Sequence, residues 1–352
     1  MTNFQTSLEM SYANNKETKI KAESLSKKLK EHLKSIEQNK SLFFNVGETV
    51  YIPDLHGDFV HLTITLHRHG LIDEEFNLKK EYKYVFLGDF YDRAPDSALI
   101  DYWLNNQIKN KLEIYRLTGN HEMAFLEREE NGHPIIFPSQ DSIKDISNNF
   151  QITENILKNI AGGNILAAYV DRRDVACNVP TILYIHSYII NDDFKELGLE
   201  PNDNIFNFCL LLNQRFKNHG EKSYQIFLDG KQKGEHNWEA IIKPFKDDPL
   251  FNIYTKKKEI HTSFIWRRTG SPMLKTYPNE LFVEIPEDVY QIVGHTPIFL
   301  FNNPQSQSTY EPFVMSSKTS SGKIQFSDVG IGYYYKSDSF ERPEVCISLK
   351  SP

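Results

Sequence analysis

The sequence predicts an α/β fold built around a mostly parallel β-sheet, and two observations support this prediction. From about residue 49 to residue 117, apolar stretches rich in β-branched and aromatic side chains alternate with segments of helical character, which is typical of βαβ units. Each apolar stretch is followed at once by Asp, His or Asn. In open α/β sheets, ligands bind beyond the carboxyl ends of the strands, so this edge of the sheet is the predicted site.

Three polar blocks follow three predicted strands in the first third of the chain. They are Asp54-Leu-His56-Gly-Asp58 after residues 50–52, Gly88-Asp89-Phe-Tyr-Asp92-Arg93 after residues 84–87, and Gly119-Asn120-His121-Glu122 after residues 112–117. Because neighbouring parallel strands end at the same edge of a sheet, we expect the three blocks to converge. Oxygen and imidazole donors gathered without thiolates suit a pair of divalent metal ions.

Two later blocks supply further imidazoles. Residues 182–186 form an apolar strand that ends in His186, and residues 291–297 repeat the pattern with a Gly-His295-Thr-Pro turn. In this order, the five blocks resemble those of the calcineurin-like metallophosphoesterases over about residues 48 to 330. Arg93 and Glu122 resemble the phosphoprotein phosphatase branch, and the Gly-His-Thr-Pro form is similar to its bacterial-type members.

The resemblance implies an αββα sandwich, in which helices flank two mixed β-sheets, with helical insertions. It also implies a binuclear metal centre whose ligands are Asp54, His56 and Asp89 for the first ion, and Asp89, Asn120, His186 and His295 for the second. Two ions roughly 3.5–4 Å apart stabilise the oxygens of an in-line displacement and lower the pKa of bound water, so that hydroxide attacks phosphorus directly. The expected ions are manganese, and His and carboxylate ligands also suit iron or zinc.

Four residues are expected to act on the phosphate. His121 is the candidate general acid that protonates the leaving alkoxide, and Asp92 is expected to orient it and keep it protonated. Arg93 is expected to clamp two phosphate oxygens, because a planar guanidinium matches them bidentately. The stretch Phe264-Ile-Trp266-Arg267-Arg268 resembles a W-x-R element, and this alignment selects Arg268 as the second clamp.

Asp328, in Ser-Asp328-Val-Gly, resembles a D-x-G element and is expected to support the ligands. The chain departs from the family pattern at Pro53 and Ala94, where Gly is usual, and most clearly at Ser187-Tyr188, where Gly-Gly is usual. We expect Tyr188 to form a wall of the cleft and to affect substrate preference.

The expected activity is that of a metal-dependent phosphatase acting on phosphorylated proteins, at Ser or Thr, with Tyr left open. A symmetrical dinucleoside tetraphosphate hydrolase shares the same blocks and is the alternative enzyme. The alternative of another class is a catalytically silent interaction protein. The pair of Asp92 and His121 argues against that alternative, because a structural metal site has no use for a general acid.

Two other motifs have weaker functional interpretations. The spacing of Cys209 and Arg215 matches the C-x5-R motif of cysteine-dependent tyrosine phosphatases, but the intervening residues are apolar and predict a helix, not a phosphate-binding loop. His67-Arg-His69 precedes Gly70 and indicates a helix terminus with basic residues, not a metal site. No G-x-x-x-x-G-K-[ST] motif occurs, which excludes a P-loop nucleotidase.

The composition limits the partners. A net charge of -7 over 352 residues argues against non-specific nucleic-acid binding. No apolar run approaches the roughly 18 residues that a membrane span requires. Three cysteines without paired spacing and the lack of an amino-terminal signal predict a cytoplasmic protein. Export through a signal at the carboxyl terminus and the oligomeric state are left open.

The chain is predicted to divide into an amphipathic helical extension, residues 1–41, and a catalytic domain, residues 42–352, with insertions at about 123–180 and 191–260. The extension carries an apolar stripe of Leu25, Leu29, Leu33 and Ile36. In the insertions, helices are predicted near 141–160, ended by Gly162-Gly163, and over 205–216, followed by turns at Gly220, Asp229-Gly230 and Gly234. Further strands are expected at about 290–293, 324–327 and 344–349.

Overall fold

The computed structural model describes residues 16–38, 44–45, 47–128, 150–171, 181–201, 203–252, 263–267, 284–296, 313–316 and 321–328. The helices before and within the first half of the fold are α1 (Lys16–Ser35), α2 (Phe59–Arg68), α3 (Ser97–Lys109), α4 (Asn120–Leu126) and α5 (Phe150–Ala161). They alternate with the strands of a parallel four-stranded sheet, in the order β1 (Thr49–Ile52), β2 (Lys83–Phe86), β3 (Ile114–Leu117) and β4 (Ile165–Leu166).

A second sheet is mixed and five-stranded. Its order is β5 (Ala168–Asp171), β6 (Thr181–Ile185), β7 (Val289–Val293), β9 (Lys323–Phe326) and β8 (Phe313–Ser316). The central strands β6, β7 and β9 are parallel to one another, while β5 and β8 pair antiparallel at the two edges. The parallel strands of this sheet therefore also end together at one edge.

The two sheets pack face to face through a layer of apolar side chains. The layer consists of Tyr51, Val85, Leu87, Leu117, Ile182, Tyr184, Tyr290 and Ile292. Val50 and Ile52, the neighbours of Tyr51 in β1, belong instead to the larger core cluster that includes the helices, as the alternation of side chains along a strand requires. The predicted αββα sandwich is confirmed.

Helix α1 packs against this sandwich through its apolar stripe. Leu29 and Leu33 are buried in the main core, and Leu25 and Ile36 lie partly buried against it. At the end of α2, His67 Nε2 lies 3.2 Å from the carbonyl oxygen of Ile36. No helix in the described parts of the chain is both long and apolar enough to cross a membrane.

The second insertion contains α6 (Asn191–Glu196), α7 (Ile205–Lys233) and α8 (Trp238–Lys246). The predicted end of a helix at residue 216 and the turns at Gly220 and Asp229-Gly230 are wrong, because α7 continues through them. Gly220 is buried, and a Cβ there would overlap Ile160, so glycine allows α7 to pack closely on α5. Gly234, with a φ of 73°, ends α7 in the left-handed conformation that glycine adopts readily.

The predicted end of α5 at Gly162-Gly163 agrees with the structure, since α5 ends at Ala161 and Gly163 has a φ of 73°. Strands β7 and β9 fall where they were expected, within one residue of 290–293 and 324–327. The predicted strand at 344–349 and the first part of the helix near 141–160 lie outside the described residues.

Candidate active site

The predicted ligands all lie just beyond the carboxyl ends of parallel strands. Asp54 follows β1, Asp89 follows β2 and Asn120 follows β3, while His186 and His295 follow β6 and β7 of the other sheet. Each of these five side chains is at most 3% exposed. Because the carboxyl ends of both sheets meet, residues that are up to 241 positions apart in the chain come into contact.

Asn120 lies at the centre of one group of ligands. Its Oδ1 is 2.9 Å from His186 Nε2 and 2.7 Å from His295 Nδ1. His186 Nδ1 lies 2.8 Å from the carbonyl oxygen of Leu87, which only accepts hydrogen bonds, so in the neutral ring Nε2 presents its lone pair to Asn120. Asp89 Oδ1 is 3.4 Å from the same Nε2. Oxygen and nitrogen lone pairs that converge in this way suit a divalent cation.

Asp89 also belongs to a second group. Asp89, His56 and His121 each offer one atom within 4.8 Å of the others, and Asp89, His186 and His295 do the same. Asp54 joins the two groups, with its Oδ2 4.0 Å from His56 Nε2 and accepting a hydrogen bond of 2.9 Å from the His295 N–H. Asp54 Oδ1 is buried without a hydrogen-bond partner in the described residues. Such an orphaned oxygen between two donor groups fits a site for two ions.

The charges at this edge favour bound cations. Burial, together with repulsion from Asp328 and Asp89, raises the pKa of Asp54 well above the usual aspartate value. Burial also opposes ionisation of Asp89, but the attraction of His186 and His121 outweighs it and holds the pKa of Asp89 below its usual value. Buried carboxylates this close together are costly unless positive charge compensates them.

His121 and Asp92 form a hydrogen-bonded pair beside the ligands. His121 Nδ1 is 2.8 Å from Asp92 Oδ2, and both side chains are buried. Burial would lower the pKa of His121, but Asp89 and the bond to Asp92 outweigh it and raise that pKa above the usual value. His121 Nε2 lies 3.7 Å from Asp89 Oδ2, so this imidazole faces the shared carboxylate. The geometry therefore suits an oriented imidazolium that can give up a proton.

Arg93 lies between two imidazoles of the site. Its Nη1 is 2.9 Å from His56 Nε2, and its Nη2 is 3.4 Å from His121 Nε2. In this structure Arg93 therefore bonds to a ring nitrogen of His56, an expected ligand of the first ion. A role as phosphate clamp requires that Arg93 release His56.

The backbone of the site is strained at several residues that are not glycine. The φ angle is positive at His56 (46°), Asp89 (52°), Asp92 (81°), Arg93 (62°) and His295 (60°). Such conformations cost about 1–3 kcal/mol each and persist where the surroundings hold them. Here the Asp89 carbonyl accepts hydrogen bonds from the N–H groups of Leu55, at 3.0 Å, and His56, at 2.8 Å, which ties the first two blocks together.

Glu122 braces two of the ligand loops, a role that was not predicted from the sequence. Its carboxylate accepts hydrogen bonds from the backbone N–H groups of Asp89 (2.8 Å), Phe90 (2.7 Å) and Gly119 (2.7 Å). Burial and the charge of Asp89 raise the pKa of Glu122 to about 7. The only sequence signal was a Glu three residues after Gly119 at the start of a helix, as in a capping box.

The structure brings together nine of the ten predicted site residues, and Arg268 lies outside the described residues. Arg267, its neighbour, is buried and forms an ion pair with Asp193, so it is committed to a structural contact. Asp328 is 1% exposed, and its charge contributes to the raised pKa of Asp54, so it lies near Asp54.

The expectation that Tyr188 walls the cleft is wrong. Tyr188 is only 4% exposed and belongs to the main core, where its ring lies edge-on to Phe326 at 6.4 Å. The carbonyl oxygen of Tyr188 accepts a hydrogen bond from Arg267, and the guanidinium lies 5.7 Å from the centre of the Tyr188 ring.

The cysteine motif is buried in a helix. Cys209 lies in α7, and burial raises the pKa of its thiol to about 12, which leaves almost no thiolate at neutral pH. Arg215 donates hydrogen bonds to Asp248 and to the carbonyl oxygen of Glu196 instead of facing Cys209. This arrangement agrees with the prediction of a structural role.

No protein-family model matches this sequence, and a comparison with curated proteins also gives no match. Among solved structures, a cold-active protein tyrosine phosphatase is similar, with 14% identity and a TM-score of 0.45, over 88% of this chain and 76% of its own. The phosphatase domain from the Legionella effector WipB is 12% identical with a TM-score of 0.42, over 71% of this chain and 99% of its own.

A protein serine/threonine phosphatase from Saccharomyces cerevisiae, with similarity to human phosphatase PP5, is 17% identical with a TM-score of 0.31. That likeness covers 53% of this chain and 50% of the yeast protein. Likeness at this level does not identify a reaction, so the chemistry has to follow from the side chains of the site.

Proposed function

We propose that this protein is a metal-dependent phosphatase that hydrolyses phosphomonoesters on proteins. The observation that carries the proposal is the pair of buried donor groups that share Asp89, beside the hydrogen-bonded pair of His121 and Asp92. A site for two ions alone would suit a structural role. Next to that site, however, lies a buried imidazole that is oriented by a carboxylate, and this arrangement indicates proton transfer.

In this proposal the metal ligands are Asp54, His56, Asp89, Asn120, His186 and His295. Two divalent ions bound there, manganese being the expected metal, would polarise a phosphate ester and supply a hydroxide at neutral pH. The protein itself would orient the phosphate through Arg93, and through Arg268 as the sequence suggests. His121 would give its Nε2 proton to the leaving oxygen, while the hydrogen bond from Nδ1 to Asp92 fixes the ring.

The test is hydrolysis by protein reconstituted with Mn²⁺, Zn²⁺ or Fe²⁺, on peptides that carry phosphoserine, phosphothreonine or phosphotyrosine. Diadenosine tetraphosphate is included because the dinucleotide hydrolase is the alternative enzyme. We expect metal-dependent release of phosphate from peptides, which Asp89→Asn abolishes because this change removes a charge from both ion sites. Asp171→Asn is the matched control, since Asp171 is also a buried carboxylate but accepts its hydrogen bond from Thr49, away from the ligands.

Cleavage of the dinucleotide alone would replace the proposal with the alternative enzyme. Tight binding of two ions with no turnover of any substrate would indicate an interaction protein. Retained turnover in Asp89→Asn with two bound ions would refute the shared carboxylate.

A further inference from the structure

One buried ion pair joins the segment 263–267 to α6, at the end of the loop that follows β6. Arg267 is 6% exposed, and its Nη1 and Nη2 donate hydrogen bonds of 2.6 and 2.9 Å to the two carboxylate oxygens of Asp193. The same Nη1 donates to the carbonyl oxygen of Tyr188 at 2.9 Å, and the guanidinium lies 5.7 Å from the centre of the Tyr188 ring. A bidentate contact of this kind holds the guanidinium in one orientation.

A second contact joins the two segments through Ser187. The Ser187 hydroxyl donates a short hydrogen bond to the carbonyl oxygen of Arg267, and both groups are buried. Ser187 directly follows His186 in the chain. The glycines usual at positions 187 and 188 in the resembled family would offer no hydroxyl at 187 and no ring at 188, so these contacts depend on the departures of this sequence.

The segment 263–267 also reaches the other strand-terminal histidine. The ring of Trp266 meets the ring of His295 edge-on, at an interplanar angle of 89° and 6.2 Å between centroids. The rings of His186 and His295 are themselves 5.0 Å apart. One short segment thus contacts the imidazole of His295 and the residue that directly follows His186.

We propose that Ser187, Tyr188, Asp193 and Arg267, called here the Arg267 anchor, position His186 and His295 for the second metal ion. The anchor fixes the segment 263–267 on the loop after His186, and the segment in turn places Trp266 against His295. The inference rests on the proposed function, because it assumes that Asp89, Asn120, His186 and His295 bind that ion. None of the anchor residues would touch the metal, so they are positioning residues.

This role predicts a selective effect on one of the two ions. Of the ligands of the first ion, His56 bonds to Arg93, and Asp89 accepts a hydrogen bond from the His121 N–H. Asp54 accepts one from the backbone N–H of His295, whereas the anchor acts on the ring of His295 through Trp266. Changes to groups that support metal ligands typically lower metal affinity 10–100-fold. Loosening the anchor should therefore weaken the second ion about tenfold and leave the first unchanged, whereas a general loss of stability would weaken both.

The experiment is calorimetric titration of metal-free protein with Mn²⁺, which separates the dissociation constants of the two ions without any substrate. Ser187→Ala is the mildest variant, because it removes one hydroxyl and leaves the ion pair in place. We expect one of the two dissociation constants to rise about tenfold and the other to change by less than twofold. Trp266→Leu should act in the same direction, and the fluorescence change of Trp266 on metal binding should be smaller in Ser187→Ala.

Two further variants separate positioning from stability. Asp193→Asn leaves the buried guanidinium of Arg267 without its counter-charge, so this variant is expected to be unstable. The double variant Asp193→Asn/Arg267→Met removes both charges and should unfold at a higher temperature than Asp193→Asn. Its affinity for the second ion should nevertheless be as low as that of Asp193→Asn. Asp248→Asn is the matched control, since it disrupts a partly buried Arg–Asp pair in the second insertion, and it should bind both ions as the wild type does.

Unchanged binding of both ions in Ser187→Ala and in the double variant would overturn the inference, as would equal weakening of the two ions. The proposed function fails separately. If the wild type binds two ions but hydrolyses no phosphate ester, the function is wrong and the selective effect can still be measured. If the wild type binds fewer than two ions, both the proposed function and the inference about the Arg267 anchor are wrong, because both assume two bound ions.

Discussion

At the scale of single residues, the site depends on two glycines whose backbone is approached so closely by a carboxylate that no Cβ would fit. A Cβ at Gly294 would overlap the Asp54 Oδ1, and one at Gly119 would overlap the Asp89 Oδ1. Both glycines lie next to predicted ligands, His295 and Asn120. Their role is therefore steric, because they let a carboxylate from one loop approach the backbone of another.

We expect Gly294→Ala to displace Asp54, since the added methyl group and the Asp54 Oδ1 cannot occupy the same place. Metal affinity should fall more than tenfold, and the free energy of unfolding should fall by about 1–3 kcal/mol. Metal content and urea unfolding measure the two effects. Gly162→Ala is the control, because its new Cβ would meet the Lys158 carbonyl oxygen at 3.2 Å, where a small shift suffices. Wild-type metal content in Gly294→Ala would contradict the geometry.

His121 lies near His56 and Asp89, close enough to be a metal ligand itself. Its role as a general acid therefore has to be distinguished from a role as a ligand. If His121 is the general acid, His121→Asn should lower kcat about 10²–10⁴-fold on phosphoserine peptides. The loss should be smaller on an aryl phosphate, because a phenolate leaves without protonation, and the metal content should stay the same. Equal losses on both substrates together with metal depletion would show that His121 binds an ion.

At the scale of elements, the sequence determined the strand ends far better than the insertions. An apolar stretch that is followed by Asp, Asn or His marks the end of a strand by its change of polarity, and the polar residue has a function there as a ligand. This signal made the ends of β1, β2, β3, β6 and β7 predictable. The length of α7 was not, because glycine usually ends helices. Gly220 instead serves the contact with Ile160 of α5, a partner 60 residues earlier in the chain that local sequence does not reveal.

The anchor around Arg267 escaped prediction for the same reason. Ser187 and Tyr188 were visible as departures, but their partner lies about 80 residues later in the chain. Tyr188 was expected in the cleft because it lies next to His186, and the local sequence does not reveal the partner of Tyr188. The guanidinium of Arg267 and the ring of Phe326 draw it into the core.

Helix α7 is tied to the segment after α8 by a charge cluster whose contribution to stability should depend on pH. Asp248 accepts hydrogen bonds from Arg215 at 2.5 Å and from His219 at 2.7 Å. Burial would raise its pKa, but these two bonds outweigh burial and hold the pKa of Asp248 below the usual aspartate value. The folded state therefore binds its proton more weakly than the unfolded state, whose aspartates titrate near about pH 3.9.

It follows that the stabilisation by the Asp248 charge is complete above about pH 4 and is lost as the pH falls through the folded pKa. Asp248→Asn should lower the free energy of unfolding by about 1–3 kcal/mol at pH 7, and the difference from the wild type should shrink below about pH 4. Urea unfolding at several pH values measures this. Asp247→Asn, which removes an exposed pair with Lys243, should have little effect. A difference from the wild type that does not shrink at all as the pH falls below about 4 would show that the charge of Asp248 is not responsible.

At the scale of the whole molecule, two sheets bring their carboxyl ends to one place, and this concentrates negative charge there. Asp54 and Asp89 come from the first sheet, and Asp328 follows β9 of the second. Repulsion among the three carboxylates is part of what raises the pKa of Asp54. Bound cations would relieve this repulsion, so the packing of the two sheets and the occupancy of the site should be coupled.

Removing the metal should therefore destabilise the wild type, and Asp328→Asn should partly reverse that loss. In metal-free protein, the substitution removes one repelling charge beside Asp54, so the free energy of unfolding should rise by about 1 kcal/mol. In metal-loaded protein the same change weakens the attraction for the cations, so stability should fall. Thermal unfolding with Mn²⁺ and with a chelator measures both directions, and Asp171→Asn serves as the control for a buried carboxylate elsewhere. Destabilisation by Asp328→Asn in both conditions would mean that Asp328 stabilises the fold through hydrogen bonding, and that charge repulsion does not govern the metal-free state.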